Sequence, residues 1–513
     1  MDLAPASRAP SGMCMADSSD RIEPHDGLER IDPYVWRVAI VVVLGSIMSI
    51  LDTTIVNVAL QTLHERLHSS LSDIQWVITG YLLSLATVIP LTGWASRRFG
   101  AKRVYLFALV LFTGGSALCG VAGSTNGLIA FRVLQGLGGG LIMPVGQLIL
   151  ADTAGPKRMG RVMSAIGVPT MLGPILGPTI GGLILSGASW RWIFYVNVPI
   201  GIIAVVLAVR ILPASGLAER PPRLDYRGLI LMALGMPLLT YGLAEIGIID
   251  TFTSPRVVVP LIAGIVLLAI FIWYAWHKKD ALLDLHLYRR GTYSAASLVM
   301  FFLGAALYGA IILLPLYYQN VRHESVIDTG LLLGPQGIGM ALVMPMVGRL
   351  TDRIGGGPLA LGGVLITMLV GIPLALIGPH TSILWLCLVT GVRGVGIGFA
   401  FMPSFVAAFA ALERTELPDA APQLNVLMRV GGSIGVAVLA VVLERAILAA
   451  GHSPSAAASS GAYGTAFWWA FAICAAAIGP CIWLTRSERK AKRARRQADS
   501  QPSDEPSIAE MAA

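Results

Sequence analysis

"GPILGPTIGG", residues 173–182, places four Gly and two Pro in ten positions of an otherwise apolar run from Met163 to Leu185. In water this composition breaks a helix, because Pro removes a backbone donor and each Gly costs about 1 kcal/mol against Ala. In a bilayer the same residues serve packing. Lipid removes any gain from hydrophobic burial between helices, so close backbone approach at small residues drives their association. Gly173, Gly177 and Gly181 form two overlapping G-x-x-x-G steps, and Pro174 and Pro178 add kinks whose freed carbonyls neighbouring helices satisfy. The solvent decides between the two readings, and composition identifies the solvent. With 55% hydrophobic and 13% charged residues in 513, and a mean hydropathy of +0.73, the chain is far from the roughly 25% charge of a soluble domain.

Apolar stretches long enough to cross a ~30 Å hydrocarbon core as helix recur from Trp36 to Leu484. Fourteen spans are expected, at about 37–60, 73–93, 103–122, 126–150, 162–186, 194–212, 228–248, 256–276, 293–319, 327–347, 358–378, 382–411, 422–450 and 463–484. The first 35 residues are polar and mixed in charge, without the apolar core and cleavage site of a signal peptide, so the first span is expected to target the chain. Of the 37 Lys and Arg, only Arg66, Arg191, Arg256 and Arg322 fall in one set of alternate loops, whereas the other set and the two termini hold most of the rest. Positive charge stays cytoplasmic, which predicts both termini inside. It also accounts for the net charge of +8 without nucleic acid. The tail "RSERKAKRARR" (486–496), beside a spanning helix, is expected to meet anionic lipid headgroups. The cysteines, Cys14, Cys119, Cys387, Cys474 and Cys481, form no spaced pair, so no disulfide frame or metal site is expected.

"GWASRRFG" (93–100) and "GRLTDRIG" (348–355) share a G-x-x-x-x-R-x-G frame at an offset of 255, each after the second span of a six-span block. "QGLGGGLIMP" (135–144) and "RGVGIGFAFMP" (393–403) repeat at nearly the same distance in the fourth span. The expected organisation is an all-α membrane protein of two six-helix bundles, 37–212 and 293–484, with two inserted helices at 228–276. The segment 1–36 precedes the bundles and the basic tail 485–513 follows them. Parallel repeats with a cleft between the halves are an architecture of secondary transporters. The two inserted helices hold few polar residues and are read as a lipid-facing insert outside the transport path.

The loop motif, "LDTTIVNVAL" (51–60), "RVLQGLGGG" (132–140), "GPILGPTIGG" and "WRWIFYVNVPIG" (190–201) together resemble the motif set of major facilitator superfamily antiporters. More narrowly, the chain resembles fourteen-spanner drug:proton antiporters of the EmrB/QacA type over roughly residues 35–485. The resemblance implies proton-coupled export of small amphipathic compounds by alternating access, with no ATP and no cofactor. It assigns Gly173, Pro174, Gly177, Pro178, Gly181 and Gly182 to the antiporter motif, whose leading Gly is Ser164 here. Packing without a coupling role is the plain alternative for this helix. Transport of one endogenous metabolite or lipid, outward or inward, is the competing function.

Asp52 lies inside the first span, where a carboxylate is costly enough to mark function. Counting inward from the outer helix ends places Asp52 about 12 Å and Arg132 about 9 Å below the outer surface, so the two share a depth. By resemblance Arg132 is the motif Arg of proton transfer; an ion pair that only orients two helices is the alternative. Asn57, Gln135, Gln147, Gln319, Gln336, Arg393, Asn425 and Arg429 are candidates to line the cleft or to bond helix to helix. The loops carrying Gly93, Arg97, Arg98, Gly100, Gly348, Asp352, Arg353 and Gly355 are candidate gates, and a plain topogenic role for Arg97, Arg98, Lys102 and Arg103 is the equal alternative. Related families place Asp at the fifth position of the loop motif; here Arg97 stands there, and the carboxylate survives in the second copy as Asp352. Asp225 is expected to cap the seventh helix.

Membrane enzymes and channels fit less well. "HSSLSD" (68–73) matches H-x4-D, a pattern of only two fixed residues, and "GLGGG" (136–140) lies in a span rather than after the strand that a dinucleotide loop needs. No phosphate-loop pattern is present, which leaves transport to draw on an ion gradient.

Overall fold

A computed structural model describes residues 32–155, 162, 173, 177, 180–213, 223–249, 254–278, 280–413, 415–451 and 455–499. Local chemistry sets the helix ends. Helix α1 (Pro33–Val58) starts with Pro33 at its first position, where the missing N–H is no loss, and with the Asp32 carboxylate accepting from the Tyr34 amide. Helix α2 (Leu71–Val88) continues through a 3-10 turn at Ile89–Leu91 into Thr92–Phe99. It begins with a reciprocal cap: the Asp73 amide donates to Ser70 Oγ, and that hydroxyl donates to Asp73 Oδ2. Asp73 is therefore a capping residue, and the H-x4-D pattern has this structural explanation.

Helices α3 (Ala101–Gly120), α4 (Thr125–Ala154), α5 (helical at 162, 173, 177 and 180–187) and α6 (Trp192–Ile211, with a break at Val196) complete the first block. After α7 (Tyr226–Ile249) and α8 (Pro255–His277), the second block runs α9 (Gly291–Asn320), α10 (Val326–Ile354), α11 (Gly356–Ala375), α12 (Ile383–Ala410), α13 (Leu417–Ala449) and α14 (Ala456–Asp499). Among the described residues thirteen helices are long and apolar enough to cross a membrane. With α5, only part of which is described, the architecture is the expected fourteen spans in two six-helix bundles and an insert.

The repeat extends to the caps. Helix α10 starts on Ser325 and Asp328 with the same reciprocal bonds as Ser70 and Asp73, at the same 255-residue offset that separates Gly93 from Gly348. The turns after α2 and α10 each place a glycine in the left-handed region, Gly100 at φ 84° and Gly355 at φ 98°, again 255 apart. Glycine adopts that backbone without the steric cost of a Cβ, which explains the last fixed position of the loop motif.

In the first block α4 packs on both α2 and α3; in the second, α12 packs correspondingly on α10 and α11. The glycine run of α4 makes this possible. A Cβ at Gly138 would lie 2.6 Å from the Phe112 amide nitrogen, and one at Gly140 would lie 2.6 Å from the Leu85 carbonyl oxygen.

The insert departs from expectation. Helix α8 turns Ile262, Val266, Ile270 and Trp273 outward, as a lipid-facing helix should. Helix α7 instead packs against α2 of the first half and α13 of the second, burying Met232, Met236, Leu239 and Leu243 and stacking Tyr241 on Trp76 at 5.9 Å. An apolar helix suits a protein seam and a lipid face equally, so low polarity could not separate the two.

Candidate functional site

Asp52 is completely buried, and every polar neighbour comes from another helix. Its Oδ2 receives Arg132 Nη1 of α4 at 2.5 Å, and its Oδ1 accepts from Gln135 Nε2 of α4 at 2.9 Å and from Asn197 Nδ2 of α6 at 3.1 Å. Arg132 is satisfied on its other edges. Its Nε donates to the Val77 carbonyl at 3.1 Å, Nη1 also donates to Gln135 Oε1 at 2.9 Å, and the guanidinium lies 4.1 Å from the centre of the Tyr81 ring. Asn197 reaches on to Ser116 Oγ of α3 at 3.2 Å, and Ser116 donates to the Phe194 carbonyl at 2.9 Å. The network thus ties α1, α2, α3, α4 and α6 together. Two orphan charges there would be prohibitive, whereas a hydrogen-bonded pair is tolerable.

On the far side of α1 lies α5. A Cβ at Gly173 would collide with Ile50, one at Gly177 with Thr54, and one at Gly181 would lie 3.3 Å from Ile55. The Thr54 hydroxyl donates to the Gly173 carbonyl at 3.3 Å. The glycine stripe of "GPILGPTIGG" is therefore a close seat for the turn of α1 that carries Asp52. Residues 50 and 54 share one helix face and residue 52 points the opposite way, so α1 is held between the α5 stripe and the polar network. Gly182 is described within α5, while Pro174, Pro178 and Ser164 lie outside the described residues.

At the face that carries the basic loops, Arg97 forms an ion pair with Asp419, in the first turn of α13. Gly93 admits the approach: a Cβ there would lie 2.7 Å from the Pro418 carbonyl oxygen. Deeper in, Asn425 of α13 donates to Gln147 of α4 at 2.8 Å. Both contacts join the two halves. The residue facing Arg97 is thus Asp419, from another helix; the second-copy Asp352 is exposed. In that second copy Glu488 of α14 accepts from the Gly356 and Gly357 amides at 3.1 and 2.8 Å, capping α11. Arg98 and Arg353 point to solvent, and Lys102 caps α6 through the Val209 and Leu212 carbonyls at 2.9 and 2.6 Å.

The remaining candidates separate. Gln135 belongs to the Asp52 network and Gln147 and Asn425 to the seam. Arg393 is buried and donates to Gln336 Oε1 at 3.1 Å. Gln319 is half-buried and Asn57 is exposed. Arg429 faces a cavity between the halves. Sequence reasoning missed Asn197, Tyr81, Asp419 and Glu488 as partners. Asn197 carried a usable signal, an amide at the start of a span inside "WRWIFYVNVPIG"; Asp419 and Glu488 read as ordinary helix-end charges.

Among the described residues, four free cysteines and no cluster with metal-ligand chemistry are found. A two-block helical bundle built from parallel repeats is an architecture of secondary transporters. Residues 42–440 match the Major Facilitator Superfamily, and the chain belongs to it. It is 38% identical over 419 residues to the multidrug resistance protein B homolog of Mycobacterium tuberculosis, covering 81% of this chain and 77% of that one. To the multidrug export protein EmrB of Haemophilus influenzae it is 30% identical over 398 residues, covering 77% and 78%. The proton:xylose symporter XylE superposes with a TM-score of 0.58 at 15% identity, covering 86% of this chain and 94% of that one, a likeness of fold.

Proposed function

We propose that the chain exports small amphipathic compounds across the cytoplasmic membrane in exchange for protons, by alternating access between its two halves. The relatives' names support drug export. The observation that carries the coupling is the sealed Asp52–Arg132 pair. The basic face is assigned to the cytoplasm, with both termini, on the distribution of Lys and Arg. The Arg97–Asp419 and Gln147–Asn425 contacts close that face, so this conformation is open toward the outside or occluded.

Protonation of Asp52 removes the charge that holds Arg132, yet the guanidinium keeps the Val77 carbonyl, Gln135 Oε1 and the Tyr81 ring. The protonated state thus keeps the guanidinium hydrogen-bonded but without its counterion, which favours a rearrangement of the helices around it. Asn197 Oδ1 is buried without a hydrogen-bond partner, and an amide turn would present it to a protonated Asp52 as an acceptor. Because Asp52 has no exposure in this state, proton exchange requires the helices around it to move, which links protonation to the swing of the halves. α5, seated on the same turn of α1, is the element that transmits the change.

Inverted membrane vesicles test this reading. Dye or drug uptake should start on energisation, collapse with a protonophore and be absent from vesicles lacking the chain. Accumulation that persists without a proton gradient would overturn it.

A further inference from the structure

Between the two halves, at the inserted helix, lies a cavity of about 260 Å³. Leu82 of α2, Met236 and Thr240 of α7, Tyr308 of α9, and Arg429 and Ser433 of α13 contribute to its wall. Counted along their helices from the basic face, Arg429, Thr240 and Tyr308 lie about 18, 21 and 26 Å in, and Leu82 lies about 17 Å from the opposite face. All four helices meet near the middle of the membrane.

Arg429 is anomalous there. Its Nε is buried without a hydrogen-bond partner, and among the described residues no carboxylate pairs with it. Glu245, the nearest acid along α7, is engaged with Tyr241. A guanidinium does not give up its proton in proteins, and an uncompensated charge at this depth is expensive. Arg429 is half-buried, whereas of the two fully buried arginines Arg132 has the Asp52 carboxylate and Arg393 donates to the neutral Gln336 Oε1, so that each has a side-chain acceptor that Arg429 lacks among the described residues. At Arg429 the space where a partner belongs is the cavity. Its wall joins one permanent cation and the hydroxyls of Thr240, Ser433 and Tyr308 to the apolar Leu82 and Met236, a lining suited to a charged head with an attached apolar chain.

We propose that this cavity binds the anionic head of an amphipathic molecule, with Arg429 as its counterion and α7 as part of its wall. The insert thereby takes part in binding through α7 as well as facing lipid through α8. The site is separate from the Asp52 network, and binding needs neither gradient nor transport, so its failure would leave the proposed function standing.

The test uses the full chain in nanodiscs of neutral phosphatidylcholine, titrated with the fluorescent fatty acid cis-parinaric acid and with its methyl ester. The acid should bind at least tenfold more tightly than the ester. Arg429→Gln should remove that preference and Arg429→Lys should retain most of it, which separates loss of charge from loss of fold. Thr240→Leu, which fills the wall from α7, should weaken the acid severalfold. Displacement by phosphatidylglycerol would identify the ligand class as a lipid headgroup, and displacement by short-chain carboxylates alone would identify a free amphipathic acid; either supports an anionic site. Equal affinity for acid and ester, or unchanged acid binding in Arg429→Gln, would overturn the proposal.

Discussion

At the scale of single residues, the decisive feature is a carboxylate that cannot be reached in this conformation. Asn at position 52 keeps an acceptor for Gln135 and Asn197 but cannot take up or release a proton. Asp52→Asn is expected to abolish gradient-driven export while substrate binding and downhill counterflow in proteoliposomes stay measurable. Export that still follows an imposed pH gradient would move the coupling role elsewhere. Arg132→Met should be worse tolerated, because it leaves the buried carboxylate without its cation; losses of about 3–5 kcal/mol are usual when one partner of such a pair is removed. A large fall in the melting temperature of Arg132→Met, partly relieved by adding Asp52→Asn, is the expected signature.

At the scale of elements, the α1–α5 contact should limit cycling before it limits folding. Gly177→Leu drives bulk against Thr54, beside the turn carrying Asp52, so transport is expected to fall far more than membrane expression. Parallel loss of both would mean that the stripe only holds the bundle together. The start of α7 supplies a test with pH. Asp225 accepts from the Gly228 and Leu282 amides at 3.1 and 3.0 Å, from Tyr274 at 2.8 Å and from Lys278 at 2.8 Å. Burial works to raise its pKa, but these hydrogen bonds, led by that of Lys278, outweigh it and hold the carboxylate below its ordinary value. A depressed folded pKa contributes stability above the unfolded value of about 3.9, lost as the pH falls through the folded one. Asp225→Asn should therefore lower the melting temperature at pH 7, with the difference from the parent chain shrinking below about pH 4.

At the scale of the whole molecule, the two halves are joined at the basic face through α13. Arg97→Glu places like charges against each other at Asp419 and should raise the population open at that face, read as labelling of a cysteine introduced beside Gln147. The exchange Arg97→Asp with Asp419→Arg restores attraction and should return labelling toward the parent level. Failure of the double variant to recover, with its fold intact, would show that the contact does not govern the equilibrium. The seam also explains why the insert splits in character, with α8 against lipid and α7 wedged between α2 and α13.

Much of this was legible in the residues because it depends on quantities local to the chain. Hydropathy over about twenty residues yields the spans, the 255-residue offset from Gly93 to Gly348 reveals the two blocks, and Asp52 stands out because a charge inside a span is rare. Equal depth even selected Arg132 as its partner. Tertiary structure decided the rest: Asn197 on Asp52, Asp419 as the residue facing Arg97, Glu488 capping α11, α7 in the seam, and Arg429 left facing a cavity. Each is a contact between residues far apart in sequence, settled by the rotation of helices about their axes. In a soluble protein the apolar stripe would reveal that rotation. Here lipid is as apolar as the interior, so the pattern does not distinguish the face of α7 that meets protein from the face of α8 that meets lipid, and only the packing does.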